Sequence, residues 1–590
     1  MLDPKKYADW QIAEEAEKTM KPIAQLAEEL GLHEEEILPY GRYVGKIDAA
    51  RVLERTRGQQ SGKCVNVTAI TPVPMGIGKS TTTIGLVQGL GRRGKRAAAA
   101  IRQPSGGPSM GRKGSAAGGG LAQCIPLAPY SLGLTGDINA VTNANNLALV
   151  ALTARMQHER NYDDEKLLRL SGRPRLSIDP TRVEMRWAMD FCCQALRNIV
   201  IGIDGDGGQR DGFMMRSQFA IAVASEVMAI LALSRDLKDM RERMGKIIVA
   251  WSTNGTPVTT ADLQVDGAMT AWMVEAIKPN LIQTIEGQPV FVHAGPFADI
   301  AIGQSSVIAD MASVKLSDYH VTESGFGSDV GYEKFWNLKT RYSGITPDCA
   351  VIVATIAALK HHGGLVFPAN ATRPPEEFHK ENLGLVEKGC ENLLHHIGIV
   401  KKSGIPPVVC LNAFVTDTPA ERARVREICE AAGARMVVSR QWELGGEGAL
   451  ELADAVTDAC NEHHDFTPLY DWSMPYAERI ERIAKEVYGA DGVDYSTRAK
   501  ERLEQLERDT SRPDTAVCMV KTSSSLSDIP GLAGAPKGWR LRVRDMLYFG
   551  GAGFIVPVAG HISLMPGTGS SPSFRGIDVN TETGQVTGIF

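Results

Sequence analysis

The chain has 590 residues, 43% of them hydrophobic and 23% charged, with a formal net charge of −5. That balance excludes the disordered and collagen-like classes and gives no electrostatic footprint for nucleic acid or an anionic membrane. The length is too great for a single hydrophobic core.

From Pro4 to about Leu38, Glu, Ala, Lys and Leu recur at helical spacing, which predicts amphipathic surface helices and no core strand. The N-terminus, Met1-Leu-Asp-Pro-Lys-Lys, has no basic and apolar leader, and the ten cysteines show no C-x-x-C spacing. A reduced, cytoplasmic setting is the expectation. From Cys64 onward, short β-branched runs at 64–70, 96–101, 246–251, 290–293, 349–355 and 407–411 alternate with helical segments. This alternation predicts an α/β fold, a mostly parallel sheet with helices on both faces. Ligands of such sheets sit beyond the carboxyl ends of the strands.

The first of these runs leads into Thr71-Pro72-Val-Pro-Met-Gly76-Ile-Gly78-Lys79-Ser80-Thr81, which reads as a phosphate-cradling loop opening a helix. Backbone N–H groups and the positive end of the helix dipole suit nucleotide phosphates, Lys79 adds a point charge, and the Ser80 and Thr81 hydroxyls suit Mg²⁺ or phosphate oxygens. Val73 stands where the P-loop pattern has its first glycine. The second run leads into Arg102 and then Arg112-Lys113-Gly-Ser-Ala-Ala-Gly118-Gly119-Gly120. Glycines there allow close backbone approach, and an Arg fork with a lysine suits a phosphate or an acyl phosphate. A flexible structural loop is the alternative.

Further along, the apolar run 219–233 carries Glu226 and is shorter than the roughly 20 residues of a bilayer span, so a buried helix is expected. The pairs His361-His362, His395-His396 and His463-His464 put neighbours on different faces of an element, and no metal site is expected from them. Charged helical residues 476–507 and a Gly- and Pro-rich tail at 531–569 predict a separate C-terminal unit. The expected division is 1–360 for a large P-loop nucleotide-binding domain, 361–460 for a second α/β domain with an aromatic ligand slot, and 461–590 for the C-terminal domain.

Together the two loops resemble formate–tetrahydrofolate ligase, over nearly the whole chain. The family's P-loop reads T-P-x-P-x-G-x-G-K-[ST]-T without the first glycine, as here. Its glycine-rich signature is similar to Gly111 to Gly120, and its second signature to Val353-Ala-Thr-Ile-Ala-Ala-Leu-Lys-His-His-Gly-Gly364. Further similarity lies in Thr135-Gly-Asp137, in Val321-Thr-Glu-Ser-Gly-Phe-Gly-Ser-Asp329, and in Asn412-Ala-Phe414 with Trp442.

The resemblance implies ATP-dependent condensation of formate with tetrahydrofolate through formyl phosphate, with Mg²⁺, a monovalent cation and a homo-oligomer, commonly a tetramer. It implies small-molecule substrates and neither a nucleic-acid nor a membrane partner. Lys79, Arg102 and Asp137 become the catalytic candidates, with Asp137 handling the amine proton or orienting the pterin. Thr71, Pro72, Gly76, Gly78, Lys79, Ser80 and Thr81 would bind nucleotide, and Lys113 with Gly118, Gly119 and Gly120 the acyl phosphate. Phe414 and Trp442 match a stacking slot for a pterin or adenine; without the resemblance both read as core residues. Ile77 and Gln103 replace two glutamates usual in the family, Leu121 a tyrosine and Ala357 an arginine. The alternative is a paralogue using another small carboxylate or pterin-like acceptor, or a nucleotide-binding protein without catalysis.

Overall fold

Short apolar runs bounded by turn residues pair into one large sheet in the computed structural model, which describes residues 1–111, 116–203, 212–368, 374–508, 515–560 and 562–589. The strands are β1 (Ile37–Tyr40), β2 (Val44–Ile47), β3 (Lys63–Ala69), β4 (Ala97–Ile101), β5 (Gly118–Gly119), β6 (Ala122–Ile125), β7 (Asn280–Thr284) and β8 (Pro289–Val292). They continue with β9 (Tyr319–Glu323), β10 (Cys349–Ala354), β11 (Pro407–Asn412) and β12 (Arg435–Ser439). The order across the sheet is β1-β2-β7-β8-β4-β9-β3-β10-β11-β12, with β6 also paired to β7 and β5 to β6. Every pairing from β8 to β12 is parallel, whereas β1, β2, β5, β6 and β7 pair antiparallel.

Both faces of this sheet are covered, and the period-2 alternation of β4 shows how. Ala97, Ala99 and Ile101 belong to one hydrophobic cluster, and Ala98 and Ala100 to another. The N-terminal helices α1 (Asp9–Glu17) and α2 (Ile23–Leu30) lie ahead of the sheet. Helix α3 (Lys79–Arg92) packs in the first cluster; α4 (Asp137–Asn161) and α5 (Glu226–Leu233) pack in the second. Of the run 219–233 expected as a buried helix, α5 is the helical part, with Val227 through Leu233 all buried, whereas Phe219–Ile221 is a short strand. Among the described residues no helix is long and apolar enough to cross a membrane.

Helices α6 (Ile356–His362) and α7 (Leu383–Lys402) connect β10 to β11, and α8 (Gln441–Leu444) follows β12. The boundary expected near residue 360 therefore falls inside a continuous sheet: β11 and β12 extend it from β10 by parallel pairing. The run expected at 246–251 does form a strand, Ile248–Ser252, but in a separate three-stranded antiparallel sheet with Ile178–Val183 and Pro257–Thr259. In the C-terminal region, strands Val493–Tyr495, Leu541–Phe549, Phe554–Ala559 and Ala516–Val517 form a four-stranded sheet beside helix α9 (Thr497–Arg508). The second half of the expected helical run thus includes a strand.

Candidate active site

The central strand β3 opens directly into the 70–78 loop, which ends at the first residue of α3, Lys79. Val73 and Ile77 both turn into the main core, so the positions where a glycine and a carboxylate were in question serve as apolar anchors of the loop. Gly76 and Gly78 adopt φ of +77° and +82°, a region in which a side chain is strained. At Gly78 a Cβ would also lie 2.4 Å from Asn412 Nδ2, the amide that donates to Ile77 O at 3.1 Å. Lys79, Ser80 and Thr81, all half-buried, form the first turn of α3, where N–H groups and the helix dipole favour an anion.

A carboxylate does stand beside this turn, although the sequence reading found two missing. Ser80 Oγ donates to Glu323 Oε2 at 2.8 Å, and Glu323 ends the neighbouring strand β9. Three residues on, Phe326 adopts φ +60°, a left-handed conformation uncommon for a bulky residue. Gln103 is buried with its Nε2 on Gly133 O at 3.2 Å, and its Oε1 has no partner among the described residues.

Arg102 emerges from β4 beside the loop that follows β9. Its Nη1 donates to Pro296 O at 3.1 Å, and a Cβ on Gly325 would come within 3.3 Å of its Nη2. The glycines expected to cradle an acyl phosphate have another explanation. Gly118, with φ +93°, would drive a Cβ to 2.1 Å from Ala122 O across the β5–β6 turn. Gly120, with φ +57°, would drive one to 2.1 Å from Trp442 O, and a Cβ on Gly119 would lie 2.9 Å from Asp9 Oδ2. Close backbone approach is thus required by the protein itself at all three. Lys113 lies outside the described residues.

Trp442 is thereby seated against the 118–121 turn, with Leu121 N donating to its carbonyl at 2.8 Å. Phe414 follows β11, and the two are tied through Gln441, whose Nε2 donates to Asn412 Oδ1 and to Thr82 Oγ1, both at 3.0 Å. Both rings keep exposed surface, Phe414 55% and Trp442 37%, so neither is the core residue that composition alone suggested. The residue before Trp442 can reach α3 because Gly85 leaves room: a Cβ there would lie 2.4 Å from Gln441 Cβ.

The profile described as formate–tetrahydrofolate ligase matches residues 7–590. The chain belongs to the formate–tetrahydrofolate ligase family. Curated relatives of that name include those of Lawsonia intracellularis, 66% identical over 589 residues, and Desulfovibrio desulfuricans, 65% identical over 589 residues. The one from Thermodesulfovibrio yellowstonii is 57% identical over 592 residues, and each match covers 100% of both chains.

Asp137, the third catalytic candidate, is held by other side chains of the protein. It begins α4 fully buried, accepting from Lys46 Nζ at 2.6 Å through Oδ1 and from Asn280 Nδ2 at 2.6 Å through Oδ2. Burial pulls the Lys46 ammonium below its ordinary value, against the raising effect of Asp137. Thr135 Oγ1 donates to the same Oδ1 at 3.3 Å, so the carboxylate is tied to the start of α4 from three sides.

Two histidines set aside in the sequence prove central to this ligase's loop. Thr71, its buried first residue, donates from N–H to Asn392 Oδ1 at 3.2 Å and receives Asn392 Nδ2 on Oγ1 at 3.0 Å. Its carbonyl accepts from His362 Nε2 at 2.8 Å, and its hydroxyl lies 3.0 Å from His396 Nε2. His362 Nδ1 in turn accepts from Gly534 N–H at 3.2 Å, while Asn392 Nδ2 donates to Gly534 O at 2.8 Å. Thr71 and Gly534 are thus bridged twice. The spacing of the histidine pairs puts neighbours on different faces but does not identify their partners, which lie far away in sequence.

The bridge assigns separate tasks to the two ring nitrogens. His362→Gln keeps a donor near Nε2 and is expected to retain ATP affinity, whereas His362→Asn keeps only an acceptor near Nδ1 and is expected to weaken ATP binding about tenfold, the value of one hydrogen bond. Calorimetric titration with ATP checks this; equal affinities in the two variants would dissociate the bridge from the loop. Burial lowers the His362 pKa from 6.5 to about 4 and that of His396 from 6.5 to about 3. The unfolded chain therefore binds more protons in this range, so stability is full above about pH 6.5 and falls as pH drops toward 4.

Proposed function

We propose that the chain is an ATP-dependent ligase that condenses formate with tetrahydrofolate, giving 10-formyltetrahydrofolate, ADP and phosphate. The observation that carries the reading is the convergence of Lys79, Arg102, the Ser80–Glu323 pair and two exposed aromatics at the carboxyl ends of neighbouring parallel strands, in a chain of this family from residue 7 to its end.

Formate is an anion and a poor electrophile, so its oxygen must first become part of a leaving group. A formate oxygen attacks the γ-phosphorus, ADP departs, and formyl phosphate results; the folate amine then attacks the formyl carbon, loses its proton and releases phosphate. The P-loop amides and Lys79 stabilise charge on the transferring phosphoryl group. Arg102 holds the acyl phosphate through its planar fork. Ser80 Oγ and the Glu323 carboxylate are the hard oxygen donors that fit Mg²⁺; when bound, the ion neutralises phosphate charge. Thr71, Pro72, Gly76, Gly78 and Thr81 shape the loop around the nucleotide.

Phe414 and Trp442 offer flat surfaces for a pterin or adenine, each ring pair contributing about 0.5–1.5 kcal/mol beyond burial. Trp442→Ala is expected to raise the tetrahydrofolate KM about tenfold with ATP affinity less affected; an unchanged folate KM would remove the slot. The family reading also extends to a homo-oligomer, a tetramer, to activation by a monovalent cation and to a cytoplasmic setting. The deciding experiment supplies ATP, Mg²⁺, formate and tetrahydrofolate and follows ADP and the folate product. ADP release stimulated by another carboxylate, with no formyl product, would overturn the choice of formate.

A further inference from the structure

A second concavity lies away from every residue assigned to catalysis. It encloses about 340 Å³, within the size range of small-molecule sites. One wall comes from strand Ile178–Val183 and the turn after it, another from strand Ile248–Ser252, a third from α9 and strand Leu541–Phe549. Ile248, Leu547 and Leu564 supply apolar surface, and Trp251 a flat aromatic face.

The charged groups in the wall are unevenly matched. Arg502 is paired with Asp545 Oδ1 at 3.1 Å and donates to Met546 O at 3.0 Å. Glu184 accepts from Trp251 Nε1 at 3.1 Å, and Glu226 Oε1 accepts from the amides of Gly551 and Ala552 at 2.7 and 3.1 Å. Arg182 lies over the Trp251 ring, 5.1 Å from its centroid. Arg186 is half-buried, and among the described residues its guanidinium donates to no acceptor. Glu184 is the charged group that acts on it, and the planar fork of the guanidinium, with no acceptor of its own among those residues, suits a carboxylate.

We propose that this cavity binds a small monocarboxylate with an aromatic or aliphatic body, its carboxylate on Arg186 and its body against Trp251 and the apolar wall. Glu184 also lines the cavity and disfavours a second negative charge on the ligand, which argues against a phosphate or a dicarboxylate. Burial draws the Arg186 pKa below its ordinary value, with Glu184 acting the other way.

Phenylacetate and its neutral amide are suitable probes, titrated calorimetrically into the full-length protein. Phenylacetate is expected to bind at least about tenfold more tightly than phenylacetamide, the difference made by a charge-assisted pair. Arg186→Gln is expected to lose that margin and Arg186→Lys to keep part of it, with turnover unchanged in both. Because the acid and amide comparison needs no variant, it stands even if Arg186→Gln fails to fold. Phenylacetate binding is expected to persist under saturating ATP and tetrahydrofolate. Equal affinity for acid and amide, no phenylacetate binding at millimolar concentration, full acid preference in a folded Arg186→Gln variant, or displacement by tetrahydrofolate would each overturn the assignment.

Discussion

Replacing Lys79 by alanine is expected to lower kcat for ADP release by at least about 10²–10³-fold while leaving the thermal midpoint within a few degrees of the parent. Lys79 opens α3 immediately after the left-handed Gly78, so its backbone stays in place when the side chain is cut back. The half-buried position means that no large apolar volume is lost. What disappears is a positive charge at the end of a helix whose dipole already favours phosphate, in a site where such charges act without reorganisation. Steady-state assay with all four reactants measures the loss, and a nucleotide-binding titration divides it between affinity and chemistry. Turnover at the parental rate would take the 71–78 loop out of the mechanism.

Substitution of Asp137 should act on a different quantity. Removing its carboxylate leaves Lys46, also fully buried, without its ion-pair partner, and breaking one side of a buried pair costs about 3–5 kcal/mol. Asp137→Ala is therefore expected to lower unfolding stability by that amount, read from chemical denaturation. The double variant Lys46→Met with Asp137→Leu should recover much of it, since an apolar pair of similar volume is often neutral. If instead Asp137→Ala retains its stability and loses only folate turnover, the carboxylate is a proton-handling group after all. The two readouts thus separate a scaffold role from a chemical one.

The parallel part of the sheet was legible because β4, β8, β10 and β11 are near-continuous apolar runs, as strands buried on both faces must be. Strand β9, Tyr319-His-Val-Thr-Glu323, was not, because polar residues interrupt it although all five positions are buried. His320 Nδ1 lies 2.9 Å from Ser313 Oγ, and Thr322 donates to Ala100 O at 3.2 Å. Strands β1 and β2 escaped notice because Pro39 in one and Gly45 and Lys46 in the other interrupt the apolar run. In the site, glycine positions could be read as required, but not why: Gly76 for its left-handed turn, Gly120 for the approach of Trp442. Glu323 was quoted only as part of a similar segment, since nothing local says that a strand end will stand beside Ser80. Likewise, spacing cannot reveal that His362 and Asn392 meet Thr71.

The double bridge between Thr71 and Gly534 also bears on when the site comes into being. Asn392 is 321 residues from Thr71 in sequence, His396 325 and His362 291, and Gly534 is supplied only near the end of the chain. Strand β3 likewise sits between β9 and β10, each contributed more than two hundred residues later. During synthesis, therefore, the nucleotide loop emerges early but waits with its anchors unmade until almost the whole polypeptide is available. Assembly by such distant contacts is slow and leaves strand edges exposed meanwhile, so the chain's dependence on chaperones should be concentrated in the long interval before residue 534 leaves the ribosome.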